Sequence, residues 1–266
     1  MAERTGHTVD PADERVHVPG PEDLWSESYY LDFVADTGEL AGYTRLGVYP
    51  NLGVTWWTTA LVGEGRPIVS SVDHHLPPPD GTPSAGGLRV RSPGFDSEYA
   101  VRDPLRSMSV RGSADAAAFE APEDVYRTGR GQPSRIELDL TWSTDGAPYH
   151  YDVTTRYEVP CRVEGEVCVE GSRLRVAGQG QRDHSWGVRD WWAFGWCWAA
   201  ARLEDGARVH WADIRSPGGR IGLGYLQQDG EVSPVESLRV DESPGREGLP
   251  ERAVAVVEPT GLHLEI

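Results

Sequence analysis

The stretch from Gly178 to Trp198 reads GQGQRDHSWGVRDWWAFGWCW and says most about the fold. After Trp191 it alternates large and small side chains, with Trp192, Phe194, Trp196 and Trp198 in one set and Ala193, Gly195 and Cys197 in the other. Successive residues of a β-strand point to opposite faces, so this alternation predicts a strand with one aromatic face. We expect the aromatic face to fill or line a cavity and the small face to pack tightly against a neighbour.

Similar strand-length runs occur earlier in the chain. They lie at residues 28–34 (SYYLDFV), 42–49 (GYTRLGVY) and 53–62 (GVTWWTTALV), each rich in aromatic and β-branched residues and bounded by Gly, Pro or Asn. The 31 glycines and 20 prolines among 266 residues favour many short strands over long helices. The sequence therefore predicts an all-β fold of antiparallel barrels or sandwiches, with one short helical piece at Ala114–Val125.

The runs fall into two series, which predicts two domains. Residues 1–20 are polar and proline-containing, so they are expected to form a mobile lead-in without site residues. The first series closes at Val159-Pro160, which predicts an N-terminal β domain over 21–159 and a C-terminal β domain over 160–266. The chain stops within an alternating pattern at Gly261–Ile266, so we expect an edge strand there or a second domain that is incomplete at the C-terminus.

Charge and composition exclude several function classes. There are 42 acidic and 25 basic side chains, a formal charge of -17, which repels nucleic-acid phosphates and anionic lipid surfaces. No run approaches the ~18 apolar residues of a membrane span. We therefore expect neither a nucleic-acid partner nor stable membrane insertion. The N-terminus lacks the features of a secretory signal, which predicts a cytoplasmic protein; no oligomeric state is predicted.

The sequence carries no motif for a metal or organic cofactor. Three cysteines, Cys161, Cys168 and Cys197, match no zinc or redox spacing and are expected to be buried reduced thiols. The histidines show no HxH or HxxxH spacing, the glycines of Gly178-Gln179-Gly180 precede no helix, and no GxSxG motif occurs. We therefore expect no metal and no cofactor, and read the glycine pair as a turn or a close strand crossing.

One segment gathers the residue types of a buried acid–base site. Six of the ten tryptophans lie between positions 186 and 211, and the same segment holds Asp183, His184, Asp190, His210 and Asp213. A carboxyl group among indole rings loses water, which raises its pKa and keeps it protonated near neutrality. The alternative is structural: Arg182-Asp183 and Arg189-Asp190 form ion pairs that pin a turn, and the tryptophans form a core.

The residues Tyr157, Cys161–Val167 and Gly178–Trp191 resemble the central signature of the hydroxyneurosporene synthase (carotenoid hydratase)-like proteins. The resemblance is specific over about residues 157–198 and architectural elsewhere. It implies two lipocalin-like β domains, an architecture also used by tocopherol cyclase and by lipocalin-like Diels–Alderases of natural-product pathways. The characterised relatives act on long apolar polyenes or prenyl chains, typically without a metal or organic cofactor.

Carried onto this chain, the resemblance makes Asp183, His184 and Asp190 the acid–base candidates. The expected ligand-lining residues are Trp186, Trp191, Trp196, Trp198, His210 and Trp211, with Trp56 and Trp57 from the first domain. Adjacent strand residues face opposite ways, so at most one of Trp56 and Trp57, and one of His74 and His75, can face any one cavity.

The expected function is a cofactor-independent lyase or isomerase, a hydratase or cyclase, for an apolar terpenoid or polyketide-type natural product. Proton delivery would begin the reaction, and the tryptophans would shield the resulting carbocation. The alternative is a non-catalytic lipocalin-like protein that binds such an apolar ligand. We further expect Asp183 or His184 to be buried beside Trp186 and Trp191, with Arg182 or Arg189 paired to Asp183 or Asp190.

Overall fold

The computed structural model describes residues 9–144, 146–190, 192–235, 237–245, 250–258 and 262–265. The predicted all-β fold is confirmed, since 68% of the residues lie in strands and 3% in helix. None of the helices in this described part of the chain has the length and apolar character needed to cross a membrane.

The strands in chain order are β1 (Trp25–Ala35), β2 (Ala41–Tyr49), β3 (Val54–Val62), β4 (Ile68–Leu76), β5 (Asp80–Thr82), β6 (Gly87–Ser92), β7 (Phe95–Asp103), β8 (Ser107–Phe119), β9 (Gln132–Thr144), β10 (Tyr149–His150), β11 (Arg156–Val169), β12 (Ser172–Val188), β13 (Gly195–Arg202), β14 (Arg208–Ser216), β15 (Gly219–Gln228), β16 (Glu231–Pro234), β17 (Ser237–Pro244), β18 (Pro250–Glu258) and β19 (Leu262–Glu265). A short 3-10 helix covers Pro11–Glu14, and one helical turn, α1, covers Asp124–Arg127.

The first twelve strands form one antiparallel sheet that closes on itself. The ring of pairs runs β1-β2-β3-β4-β8-β9-β11-β12 and returns to β1. Of these strand pairs, β4 and β8 have the fewest paired residues: Ile68, Val69 and Ser70 lie opposite Phe119, Ala118 and Ala117. Eight strands in a closed ring make a barrel just wide enough for side chains or one small ligand.

The barrel has a continuous core built from alternate residues of its strands. On β1, Tyr29, Leu31 and Phe33 are buried in the same core as Trp57 and Tyr99. The residues between them on β1 point to the other face, as the period of two requires. Alternate residues of β1, β11 and β12 therefore face either the barrel interior or the opposite side of the sheet.

The chain divides into two compact units, Met1–Arg189 and Asp190–Ile266. The second unit holds the sheets β13-β14-β15-β16 and β17-β18-β19 over its own core, which includes Val209, Trp211 and Val257. The expected boundary near residue 160 falls inside β11, which pairs along its length with β12 and β9. Those two pairings hold residues 160–188 in the first sheet, so the division comes after β12.

Two local predictions from the sequence are wrong. Residues 114–119 of the expected helix lie in β8, where residues 114–118 pair with β9, and the helical turn α1 begins only at Asp124. The expected aromatic strand begins at Gly195, so Trp192 and Phe194 precede it, 74% and 49% exposed. Trp196 is also exposed.

Candidate functional site

A buried polar group lies on the inner face of the barrel where β1, β11 and β12 run side by side. Tyr29 of β1 and Tyr157 of β11 are both register partners of His184 of β12, so the three side chains share one face. Glu27 precedes Tyr29 by two residues and shares that face. Sequence alternation thus places a carboxyl group, an imidazole and two phenols together.

His184 is held from both ring nitrogens. Its Nε2 lies 2.5 Å from Glu27 Oε1, and its Nδ1 lies 3.2 Å from the Tyr157 hydroxyl. The imidazole is stacked on the Tyr29 ring with 4.4 Å between centroids, and His184 is 2% exposed. The ring is therefore fixed in orientation and shielded from water.

The segment before β1 completes this group. His17 Nδ1 lies 2.9 Å from Glu27 Oε1, and the His17 ring stacks on Trp186 at 3.8 Å. Glu14 is 1% exposed; its Oε1 accepts hydrogen bonds from Arg182 Nη2 and from the Leu105 backbone N–H, both at 2.7 Å. The six residues that form this barrel cluster are Glu14, His17, Glu27, Tyr157, Arg182 and His184.

Of the barrel cluster, sequence reasoning named His184 as a site residue and Arg182 as an ion-pair candidate, and it gave no role to the other four residues. Glu14 and His17 lie in the lead-in that was expected to carry no site residue. Glu27 carried a signal, because it falls in phase with Tyr29, Leu31 and Phe33 at an inward position of β1. A carboxyl group at an inward position of a strand needs a partner, and here the partners are imidazoles.

The carboxyl groups of the barrel cluster are ionised at neutral pH. Burial favours a higher pKa for Glu27, but hydrogen bonds from His17 and His184 outweigh it and lower the pKa below the ordinary value. Burial also opposes ionisation of Glu14, and the adjacent Arg182 guanidinium with the Leu105 N–H lowers its pKa in the same way. The cluster therefore holds two buried carboxylates, one of which neutralises the Arg182 guanidinium.

The phenols of the site stay protonated, and two donor groups lack partners. Burial raises the pKa of both Tyr29 and Tyr157 well above the ordinary value. Among the described residues, the Tyr29 hydroxyl and Arg182 Nε find no hydrogen-bond partner, although both residues are almost fully buried. Unsatisfied buried donors cost stability unless a bound group or water meets them.

A second polar group lies on the opposite face of the same strands. Asp183 and Glu158 share the Arg156 guanidinium, whose Nε lies 2.9 Å from Glu158 Oε1. Asp32 accepts the Gln181 backbone N–H at 2.7 Å. These residues, Asp32, Arg156, Glu158, Gln181 and Asp183, form the outer-face cluster.

Two carboxyl groups of the outer-face cluster titrate near neutrality. Burial, with the nearby charge of Glu158, raises the pKa of Asp183 to about 7 although Arg156 opposes the shift. Burial also raises the pKa of Asp32 to about 7, against the lowering effect of the Gln181 N–H. The raised pKa expected for a carboxyl group of this segment thus occurs at Asp183, on the face away from His184.

The expected ion pairing within the segment is wrong. Arg182 is paired to Glu14, Asp183 to Arg156, and the Arg189 guanidinium donates to the backbone carbonyls of Thr155 and Val188. Residues 182 and 183 point to opposite faces of β12, so they cannot pair with each other. His184 does lie beside Trp186, with 5.3 Å between ring centroids, whereas Trp191 lies outside the described residues.

The remaining candidates belong to the second unit. Asp190 is exposed and accepts the Trp192 backbone N–H at 3.0 Å, as in a turn. His210 is buried, with Nδ1 3.0 Å from the Ala199 carbonyl oxygen, and its ring lies 4.9 Å from that of Trp198. Trp211 is fully buried in the core.

Trp56 and Trp57 face opposite ways, as alternation requires. Trp57 is buried in the barrel core and donates to the Tyr99 hydroxyl at 3.2 Å. Trp56 lies on the other face, where it stacks on His74 at 4.6 Å. Trp57 is therefore the member of the pair that faces the barrel interior.

Comparisons with known proteins place the chain in a family and a fold. It matches the family described as "Domain of unknown function (DUF7064)" over residues 10–266. No curated protein matches the sequence at a significant level.

Three solved structures illustrate the fold. Kievitone hydratase from Nectria haematococca is 12% identical with a TM-score of 0.62, covering 97% of this chain and 79% of that one. A protein assigned as AttH from Nitrosomonas europaea is 15% identical with a TM-score of 0.60, covering 94% and 82%. CghA with Sch210972 is 13% identical with a TM-score of 0.53, covering 94% and 80%. The fold is lipocalin-like.

Proposed function

The chain belongs to the DUF7064 family, and we propose that it is a lyase-type enzyme, a hydratase or cyclase, that works without a cofactor. Its substrate is an apolar terpenoid or polyketide-type natural product held in the barrel of the first unit. Support comes from the likeness in fold to kievitone hydratase and from the resemblance of residues 157–198 to carotenoid hydratase-like proteins. The reaction is assigned from the chemistry of the barrel cluster.

The observation that carries the proposal is the buried chain of Glu27, His184 and Tyr157. In the proposed step the Glu27 carboxylate lies on one ring nitrogen of a His184 imidazolium, and the Tyr157 hydroxyl lies on the other. A proton passes from the imidazolium through the Tyr157 hydroxyl to a substrate double bond. The products of this step are a neutral imidazole and a substrate carbocation.

Aromatic rings and unpartnered donors near His184 can stabilise the carbocation and bind the substrate. The Tyr29 and Trp186 rings, both next to His184, can stabilise the cation through their faces. Addition of water followed by loss of a proton to His184 gives hydration, and loss of a proton from a neighbouring carbon gives isomerisation of the double bond. Cyclisation follows if a second double bond of the substrate attacks the cationic carbon and the new cation then loses a proton to His184. The unpartnered Tyr29 hydroxyl and Arg182 Nε can bind an oxygen atom of the substrate.

Asp183 is the second candidate for the acid. Its pKa of about 7 suits a proton donor, but its carboxyl group faces Arg156 on the outer face. If the chain of Glu27, His184 and Tyr157 supplies the proton, catalysis takes place on the inner face of the barrel. If Asp183 supplies it, catalysis takes place on the outer face. Asp190, exposed in the second unit, is not part of either cluster.

The test begins with native mass spectrometry of protein purified from the producing cell, to identify a bound ligand. Turnover of that ligand is then measured for Glu27→Gln, Tyr157→Phe and Asp183→Asn, with the exposed Tyr126→Phe as the control. We expect the first two to slow turnover by about 10²- to 10⁴-fold, and Asp183→Asn and the control to remain near the parental rate.

Two outcomes would replace the proposal. If Asp183→Asn alone abolishes turnover, the catalytic carboxyl group is on the outer face. If every variant binds the ligand normally and neither the parent nor a variant converts it, the protein is a binding protein for an apolar ligand.

A further inference from the structure

We infer that His17, Glu27 and His184 form a binding site for one divalent transition-metal ion of the zinc class. These residues come from the segment before β1, from β1 and from β12. One possible ligand atom from each of the three residues lies within 4.8 Å of those of the other two. The nitrogens next to Glu27 Oε1 are Nδ1 of His17 and Nε2 of His184. Two imidazoles and one carboxylate are a ligand set that leaves a fourth tetrahedral position open.

The distances between the ligand atoms are close to what a metal requires. Glu27 Oε1 lies 2.9 Å from His17 Nδ1 and 2.5 Å from His184 Nε2. Bonds of ~2.1 Å to a tetrahedral ion place ligand atoms about 3.4 Å apart. Moving each imidazole nitrogen about 0.5 to 1 Å away from Glu27 Oε1 therefore brings these two separations to the value that a tetrahedral ion requires.

Two of the proposed ligands form a hydrogen bond through their remaining polar atom, and the third has a carboxylate nearby. His184 Nδ1 is held by the Tyr157 hydroxyl at 3.2 Å, and Glu27 Oε2 accepts the His17 backbone N–H at 3.0 Å. His17 Nε2 lies 3.8 Å from Asp13 Oδ1. Groups that bind the non-ligating atoms in this way orient the ligands of metal sites and strengthen metal binding.

Ring stacking holds both imidazoles in place before any ion arrives. Trp186 stacks on His17 at 3.8 Å with 10° between the planes, and Tyr29 stacks on His184 at 4.4 Å with 18°. The Glu27 carboxylate supplies negative charge, while the nearby Arg182 is neutralised by Glu14. The electrostatic surroundings therefore favour a cation.

Metal binding and the proposed proton transfer exclude each other in one molecule. An ion on His184 Nε2 replaces the hydrogen bond to Glu27 on which the imidazolium depends. The ion is thus a regulator of the proposed chemistry. The binding itself does not depend on the proposed function.

The experiment is titration calorimetry of the untagged full chain, stripped with EDTA, with zinc chloride at neutral pH. The visible absorption of bound Co²⁺ provides a second readout that reports coordination. The variants are His17→Gln and Glu27→Gln, and the matched control is His75→Gln, which removes an exposed histidine outside the cluster. Melting temperatures identify any variant that fails to fold; His17→Gln, at a half-buried position, is expected to fold.

We expect one zinc ion per chain, unchanged affinity in His75→Gln, and affinity lowered by at least roughly 10- to 100-fold in both cluster variants. Absence of binding, or binding that survives either cluster substitution in a folded variant, overturns the inference. The activity assay for the proposed function is run in EDTA, so failure of the metal site leaves that test unaffected.

Discussion

Asp183 and His184 are neighbours in sequence, yet they serve two different clusters. His184, with Arg182 and Trp186, points into the barrel, whereas Asp183 points to the outer face with Arg156. Successive side chains of a strand point to opposite faces, so these two neighbours lie on opposite sides of the sheet. The acid–base candidates of this segment therefore compete as alternatives and cannot act as a pair.

The Glu14–Arg182 pair is expected to contribute strongly to stability. Both side chains are almost fully buried, so Glu14→Ala leaves an uncompensated guanidinium inside the barrel. We expect a loss of about 3–5 kcal/mol in the free energy of unfolding, measured by urea denaturation. The exposed Glu22→Ala serves as the control and should change it by less than about 0.5 kcal/mol. Equal stability of the two variants would contradict burial of the pair.

Asp32 is expected to make stability depend on pH. Its pKa in the folded state, about 7, is raised above the ordinary 3.8, so the folded chain binds this proton more tightly than the unfolded chain does. Its contribution to the free energy of unfolding therefore falls as pH rises from about 4 to about 7, and remains low above that range.

Asp32→Asn removes this titration and preserves an oxygen acceptor for the Gln181 N–H. We expect the variant and the parent to be about equally stable at pH 4 and the variant to be more stable at pH 8, by roughly 1–3 kcal/mol. Thermal melts across this range provide the measurement. A difference that does not change with pH would show that Asp32 ionises normally.

At the scale of elements, β12 approaches β1 so closely that two of its positions require glycine. A Cβ atom at Gly178 would lie 2.1 Å from the Val34 carbonyl oxygen, and one at Gly180 would lie 2.0 Å from that of Asp32. These are backbone atoms, which cannot move aside as a side chain can. Of the two sequence interpretations of this glycine pair, the close strand crossing is the one that the structure supports.

Gly180→Ala is therefore expected to weaken the pairing of β1 with β12, at a cost of about 1–3 kcal/mol. Hydrogen exchange should speed up for the amides of both strands. Gly195→Ala, whose added Cβ would meet its nearest atom at 3.8 Å, is the matched control and should leave exchange in β1 unchanged. Identical exchange in the two variants would argue against the close approach.

The sequence predicted strands well where alternation was regular, and failed where tertiary contacts decide the structure. The alanine-rich residues 114–119 favour helix locally, but pairing with β9 and packing of Ala116 and Ala118 on the core make them a strand. The lead-in lacks a hydrophobic pattern, so nothing local indicated that Glu14 would pair with Arg182. Residues distant in sequence supply most of the barrel cluster, and no local sequence pattern indicates contacts between residues so far apart.

At the scale of the whole molecule, every strand of the twelve-stranded sheet comes from the first unit. The ring closes through β12, which ends at Val188, and the last residue of the barrel cluster is His184. Residues from Asp190 onward form their own sheets and their own core. Because each unit has its own sheets and its own core, we expect each unit to have its own free energy of unfolding.

A fragment ending at Arg189 tests this prediction. Because the fragment keeps all eight strands of the ring and all six residues of the barrel cluster, we expect it to fold cooperatively and to show strand-dominated far-ultraviolet circular dichroism. Near-ultraviolet signals from Trp57, Trp142 and Trp186, which pack in or against the barrel core, should persist.

A matched fragment ending at residue 160 lacks β12 and most of β11, which leaves β1 and β9 without those partners. It should therefore be unfolded. If the longer fragment is also unfolded, the barrel depends on residues beyond Arg189; if the shorter one folds, the domain boundary is near residue 160.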